Sequence, residues 1–168
     1  MMLVIVDTNV ARLANGEWGQ DYKECEESCI CWLERIMRGE MKLVLDTEWK
    51  ILGEYSDNLH SRAAGVGNEF LEWCLRNRTN PEKCELVWIT PVDNSDTDFR
   101  EFPDDPALQN FDPDDRKFIA VALTHPEQPP ILEATDTEWW QLRDVFHRNG
   151  VKVKFICEDD IQTLREGA

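Results

Sequence analysis

Residues 3 to 6 read Leu-Val-Ile-Val and are followed at once by Asp7. A short, β-branched run with no polar interruption predicts a strand buried on both faces, which is the habit of parallel sheets. Four further runs share its character: KLVLD (42–46), CELVWI (84–89), PILEAT (130–135) and VKVKFI (151–156). Between them lie segments with apolar residues at helical spacing: DYKECEESCICWLERIMRG, TEWKILGEYSDNL, AGVGNEFLEWCLRNR, PDDRKFIAVAL and TEWWQLRDVFHRNG, with EDDIQTLREG closing the chain. Strands that alternate with helices need crossover connections. The expected fold is therefore α/β, a three-layer α/β/α sandwich around a mainly parallel sheet of about five strands. At 168 residues, with no repeat or linker, the chain reads as a single domain spanning 1–168. The one long connection is TPVDNSDTDFREFPDDPALQN (90–110), rich in Asp and Pro; loops of this length are usually functional or mobile.

Charge narrows the partners. Thirty-four acidic against 18 basic side chains give a net charge of −16, which opposes binding to a polyanion unless a cation or a local basic patch intervenes. It leaves divalent-metal binding open. No apolar run reaches the length of a membrane span, and MMLVIVDTNV lacks the basic flank and cleavage site of a signal peptide. A cytoplasmic protein without a membrane partner is the expectation. The six cysteines, Cys25, Cys29, Cys31, Cys74, Cys84 and Cys157, include no CxxC pair and no nearby His, so a metal framework is not expected and reduced thiols fit best. Cys25 and Cys29, one helical turn apart, read either as small core residues or as a weak metal pair.

Four carboxylates stand out by position. In open parallel sheets, ligands bind beyond the carboxyl ends of the strands. Asp7 follows LVIV and Asp136 follows PILEAT, so both fall at that edge, although capping of the next helix explains either one alone. In FDPDDRKFIAVAL (111–123), Asp112 suits the N-cap, Pro113 the first helical position and Asp115 the third. Asp115 shares a stripe with Ile119 and Ala122, pointing it inward; Asp114 aligns similarly with Phe118 and Val121, so periodicity leaves the two open. Glu54 borders the stripe of Leu52, Tyr55 and Leu59, where a surface pair with Lys50 is the plain alternative. Clustered carboxylates repel one another unless a cation neutralises them. An all-oxygen set without His or Cys suits Mg²⁺ or Mn²⁺, and such ions serve phosphodiester hydrolysis.

With these residues in view, the sequence resembles the PIN domain family of metal-dependent nucleases. The matching segments are VIVDTNV (4–10), ILGEY (51–55), DRKFIAVAL (115–123) and ILEATDTEWW (131–140), collinear over nearly the whole chain. The resemblance implies an α/β/α sandwich with Asp7, Glu54, Asp115 and Asp136 as the catalytic, metal-holding set for Mg²⁺ or Mn²⁺. It further implies that Thr8, Asn9 and Thr135 hydrogen bond those carboxylates or a substrate phosphate, and that Glu138 is either an extra acid or a first-turn helix acid. The implied activity is endonucleolytic, chiefly on single-stranded RNA with DNA not excluded, by in-line attack that leaves a 5′-phosphate and a 3′-hydroxyl. Lys50, His60, Arg62, Arg76 and Arg78 are candidate substrate contacts. Small toxin nucleases of the family are commonly shorter than this chain, and an antitoxin-like protein partner or a homodimer belongs to the same expectation. The alternative is a catalytically weak regulatory module of PIN type that docks a basic protein partner, for which the 90–110 loop and exposed tryptophans among Trp18, Trp139 and Trp140 would serve. A phosphate-transferring hydrolase with Asp7 as nucleophile would want an acid two residues on, where Asn9 stands.

Overall fold

The buried run after the first residue forms β1 (Met2–Val6), and each later β-rich run becomes a parallel neighbour: β2 (Met41–Asp46), β3 (Cys84–Val87), β4 (Ile131–Glu133) and β5 (Val153–Phe155). The structure, a computed structural model, describes residues 1–166. The strand order is β3-β2-β1-β4-β5, with every pairing parallel. Val4, Ile5 and Val6 of β1 are fully buried, as a central strand covered on both faces must be.

Helices α1 (Thr8–Ala14), α2 (Lys23–Met37), α3 (Lys50–Asn58) and α4 (Val66–Asn77) carry the chain outward from β1 to β3 and pack on one another. Winding then reverses: α5 (Arg116–Thr124) returns the chain to β4 on the other side of β1, and α6 (Thr137–Gln141) and α7 (Arg143–Arg148) lead on to β5. With right-handed crossovers, this reversal puts helices on both faces and makes the gap between β1 and β4 the topological switch point. The expected α/β/α sandwich with five parallel strands is the observed architecture. The closing helix α8 spans Glu158–Glu166; Gly167, included in the expected helix, lies outside the described residues.

Several boundaries differ from expectation for local reasons. Helix α1 was not anticipated: its seven residues are too few for a periodic signal, and it stands because Asp7 caps it while Val10, Ala11 and Leu13 are wholly buried. Gly67 permits the close crossing of α4 over α1, since a Cβ there would sit 1.8 Å from the Ala11 carbonyl oxygen. The expected helix over 137–150 breaks at Leu142, which leaves helical geometry at φ −92° and ψ 7°. The DPDD segment makes a 3₁₀ turn before α5 instead of its first α-turn.

The 90–110 connection is packed, not loose. Thr90 donates to Glu101 through its backbone and hydroxyl, and Pro91 bridges to Phe99. Phe99 and Leu108 are buried, and Phe102 stacks on Phe111 at 6.2 Å. Its acids are matched by cations of the body: Asp98 by Arg116, Asp96 by Lys50, and Asp105 by Arg148. Part of the chain's acidity is thereby neutralised within the fold.

The cysteines correct the reduced-thiol expectation for one pair. Cys25 of α2 and Cys157, at the turn into α8, form a disulfide with their Cα atoms 5.2 Å apart, while Cys29, Cys31, Cys74 and Cys84 are free. The sequence separation of 132 residues concealed it.

Candidate metal centre at the carboxyl edge of the sheet

β1 ends at Val6, so Asp7 emerges at the carboxyl edge beside the switch point. It is 3% exposed, and its Oδ2 accepts the backbone N–H of Asn9 at 3.1 Å, the geometry of a helix cap. Asn9 thus contributes through its backbone. Asp7 therefore both caps α1 and faces the cleft.

Glu54 comes from α3, and two contacts set where that helix lies. Asp46, fully buried at the end of β2, caps α3 by accepting the N–H groups of Lys50 and Ile51 at 2.8 and 2.9 Å. One residue beyond Glu54, the Tyr55 hydroxyl donates to the Val6 carbonyl, immediately before Asp7. The two anchors hold Glu54 over the end of β1. Its Oε2 accepts the Thr8 hydroxyl and its Oε1 accepts Lys117 Nζ at 2.7 Å. The surface pair with Lys50 does not form; Lys50 reaches Asp96 instead.

The 3₁₀ turn at Pro113 separates the three aspartates. Asp112 caps the turn by accepting the Asp114 N–H at 3.0 Å. Asp114 is exposed, its carbonyl taking Lys117. Asp115 turns inward, where Trp139 Nε1 donates to its Oδ2 at 3.3 Å. The ambiguity between Asp114 and Asp115 is thereby resolved: Trp139 itself is fully buried against Phe111 and Phe146 and fixes the position its N–H points to.

Asp7, Glu54 and Asp115 each present a carboxylate oxygen within 4.8 Å of the others. Asp136 is not in that set. It caps α6, accepting the Glu138 N–H at 2.9 Å, and its charge reaches Asp7 across the switch point. Glu138 is an acid of the first turn of α6, as one of its two expected roles had it, and it accepts the Asp112 N–H at 3.3 Å, tying the α6 and α5 entrances together. Thr135 is buried in the turn between β4 and α6, and Thr8 is buried under Glu54.

The electrostatics of the cluster are those of acids awaiting a counter-charge. Burial, opposed by the neighbouring Glu133 carboxyl and reinforced by Glu54, pushes the Asp7 carboxyl up to about 7. Burial and then the Asp7 charge push Asp115 up to about 8. Burial also raises Asp136 above its ordinary value. A divalent cation would reverse these shifts by favouring the ionised forms.

The donor set fits such an ion. A six-coordinate Mg²⁺ at about 2.1 Å from each oxygen places its ligands about 3.0 Å apart when adjacent and about 4.2 Å when opposite. Oxygens already within 4.8 Å need only a small closure. Hard oxygen donors select Mg²⁺ or Mn²⁺ over softer metals.

Two residues escaped the sequence reading. Glu133, the last residue of β4, is completely buried; its Oε1 accepts the Ala134 N–H at 2.9 Å while Oε2 has no protein donor. It lies beside Asp7, and burial together with the Asp7 charge holds its own carboxyl well above the usual range. Neighbouring buried carboxyl groups oppose ionisation of both at once. Its signal was present in PILEAT: an acid inside an otherwise apolar buried strand. Lys117 was the other, and nothing in helical periodicity marks it as the partner of a residue 63 positions earlier.

Beside the cluster, a cleft of about 420 Å³ is lined by Lys50, Glu54, Asp57, Asp96, Asp114 and Lys117. Of the other candidate substrate contacts, Arg76 pairs with Glu72, and Arg78 donates to the Leu75 carbonyl and lies over Trp49. The expectation of exposed tryptophans is corrected for Trp139 and Trp140, which are buried, the latter 6% exposed with Arg143 stacked on it. The exposed tryptophan is Trp88, following edge strand β3.

Comparison with protein families, curated proteins and solved structures returned no match.

Proposed function

We propose that this protein is a PIN-like, Mg²⁺- or Mn²⁺-dependent endonuclease acting on single-stranded RNA. The observation that carries the reading is the convergence of Asp7, Glu54 and Asp115, from a strand end, a helix middle and a helix start, within 4.8 Å at the switch point of a doubly wound parallel sheet, where such folds bind ligands. The ion they would hold supplies charge neutralisation, orientation of a phosphate and activation of water toward phosphorus.

The chain's own residues supply the rest. Thr8 orients Glu54, and Trp139 orients Asp115. Glu133, buried beside Asp7, influences how readily that carboxyl ionises. Asp136 adds negative charge behind the triad without joining it. Lys117 and Lys50 place two ammonium groups along the adjoining cleft, paired there with Glu54 and Asp96, so in a chain of net charge −16 the approach of a phosphate would rest chiefly on the bound cation.

The test is cleavage of an end-labelled single-stranded RNA by purified protein with Mn²⁺, Mg²⁺ or chelator, against a single-stranded DNA of the same sequence. Metal-dependent cleavage abolished by Asp7→Asn and by Asp115→Asn is the expected result. Activity unchanged by both substitutions would sink the proposal. The alternative, a weak regulatory module that docks a basic partner, draws no support from the buried Trp139 and Trp140. Robust turnover by the isolated chain separates the two.

A further inference from the structure

We propose that Cys25, Cys29 and Cys157 form a three-thiolate zinc site that fills when the Cys25–Cys157 disulfide is reduced. The proposal is independent of the carboxylate centre. Cys25 and Cys29 stand at i and i+4 on α2, which directs both sulfurs to one side of the helix; Cys157 meets them from the turn into α8. All three are buried, and their sulfurs lie within 4.8 Å of one another.

The disulfide uses two of these sulfurs and leaves the third beside it, with Cys29 Sγ 4.0 Å from Cys157 Sγ. Zinc binds thiolates at about 2.3 Å in tetrahedral geometry, so ligand sulfurs stand about 3.8 Å apart. The Cys29–Cys157 edge already has nearly that length. Cys25 and Cys157, with Cα atoms 5.2 Å apart, need only side-chain rotation to separate their sulfurs to the same spacing once the bond is broken.

A cavity of about 310 Å³ opens beside Cys25 and Cys157 and is lined also by Glu24, Ser28, Glu158 and Asp160. It provides an entry path, oxygen donors or water for a fourth position, and an acidic lining that concentrates cations. Soft thiolates select zinc, whereas the all-oxygen triad selects Mg²⁺ or Mn²⁺, so the two centres take different ions.

The chemistry balances with a dithiol reductant. The disulfide gains two electrons and two protons while the reductant becomes its own disulfide; zinc then displaces the three thiol protons. Reoxidation by a disulfide oxidant expels the ion and restores the tether between α2 and α8.

The experiment titrates the full chain, reduced with a phosphine under anaerobic conditions, with Co²⁺ as a zinc probe. The expected result is a single bound ion with an intense sulfur-to-cobalt charge-transfer band, displaced by equimolar Zn²⁺. The band is lost in Cys29→Ser and in wild type oxidised with glutathione disulfide. It persists in Cys31→Ser, whose thiol is exposed, and in Asp7→Asn, which separates this site from the carboxylate centre. Cys29→Ser keeps both disulfide cysteines but sits in the core, so circular dichroism of the reduced variant must match that of reduced wild type for the loss of its band to count. No charge-transfer band in the reduced wild type, or a band retained in Cys29→Ser or in the oxidised protein, overturns the proposal.

Discussion

Lys117 Nζ stands 2.7 Å from Glu54 Oε1, with both side chains largely withdrawn from solvent at 11% and 19% exposure. No other ammonium or guanidinium among the described residues bonds a member of the triad, so Lys117 is the one cation that balances the cluster directly. Lys117→Met is expected to lower the melting temperature of the metal-free protein, because breaking a largely buried pair leaves a carboxylate uncompensated at roughly 1–3 kcal/mol, or ~2–10 °C at this size. Mn²⁺ should restore more of the loss than it adds to wild type. Thermal melts of both proteins with and without Mn²⁺ check this; equal Mn²⁺ increments would show that Lys117 and the ion do not share Glu54.

Asp7 and Asp115 both have carboxyl groups raised from the ordinary 3.8, to about 7 and about 8. The folded state therefore holds their protons more tightly than the unfolded chain does. That contribution is fully present below the ordinary value and is lost as pH rises through the folded values. The metal-free protein should lose stability between about pH 4 and about pH 8 and level off above, and Mg²⁺ should stabilise it more at the upper end, where the two carboxyl groups are ionised. Denaturant midpoints across that range, with and without Mg²⁺, measure it.

Replacing either aspartate by asparagine removes a charge that is costly without its ion. Asp7→Asn and Asp115→Asn are expected to raise metal-free stability by roughly 1–2 kcal/mol near neutral pH while abolishing stabilisation by Mn²⁺ and cleavage together. The asparagine oxygen can still accept the Trp139 N–H at position 115. A variant that loses cleavage and keeps full Mn²⁺ stabilisation would contradict the ligand assignment.

Glu133 touches Asp7 and no substrate-facing surface. Glu133→Gln puts a non-titrating donor beside Asp7, and the fold should survive with a flatter pH dependence, since position 133 no longer binds a proton. Glu133→Leu leaves Asp7 without that donor and should weaken Mn²⁺ binding. Calorimetric titration of Mn²⁺ into the two variants distinguishes them.

Tyr55 links the middle of α3 to the carbonyl preceding Asp7. Tyr55→Phe removes the hydroxyl and strands a buried acceptor, at about 1–3 kcal/mol. Cleavage should fall through kcat at unchanged circular dichroism, because Glu54 loses its register over β1.

How much of this was legible in the chain follows from the range of each interaction. The β1 run, the strand-helix alternation and Asp7 are local patterns, and the fold class and the first candidate ligand follow from them. Periodicity showed Asp115 only as one of two neighbours, because it has no resolution between adjacent residues, and the resemblance alone singled it out; in the structure the Trp139 N–H, 24 positions away, holds it inward. Asp136 looked like an equal member because it follows a strand at the same edge; its Oδ1 caps α6, and it stands outside the set of oxygens that Asp7, Glu54 and Asp115 bring together. Lys117, Glu133 and the Cys25–Cys157 link depend on partners distant in sequence, and no periodicity encodes such pairs. Helix α1 was too short to show a period, although its cap was the residue most plainly marked.

The central claim is that Asp7, Glu54 and Asp115 hold a divalent cation. Anomalous diffraction from a crystal soaked in Mn²⁺ addresses it most directly. The account predicts a peak bonded to carboxylate oxygens of all three, with Asp136 outside direct coordination. A crystal at saturating Mn²⁺ with no peak between these residues, or with the ion bound elsewhere, would contradict it.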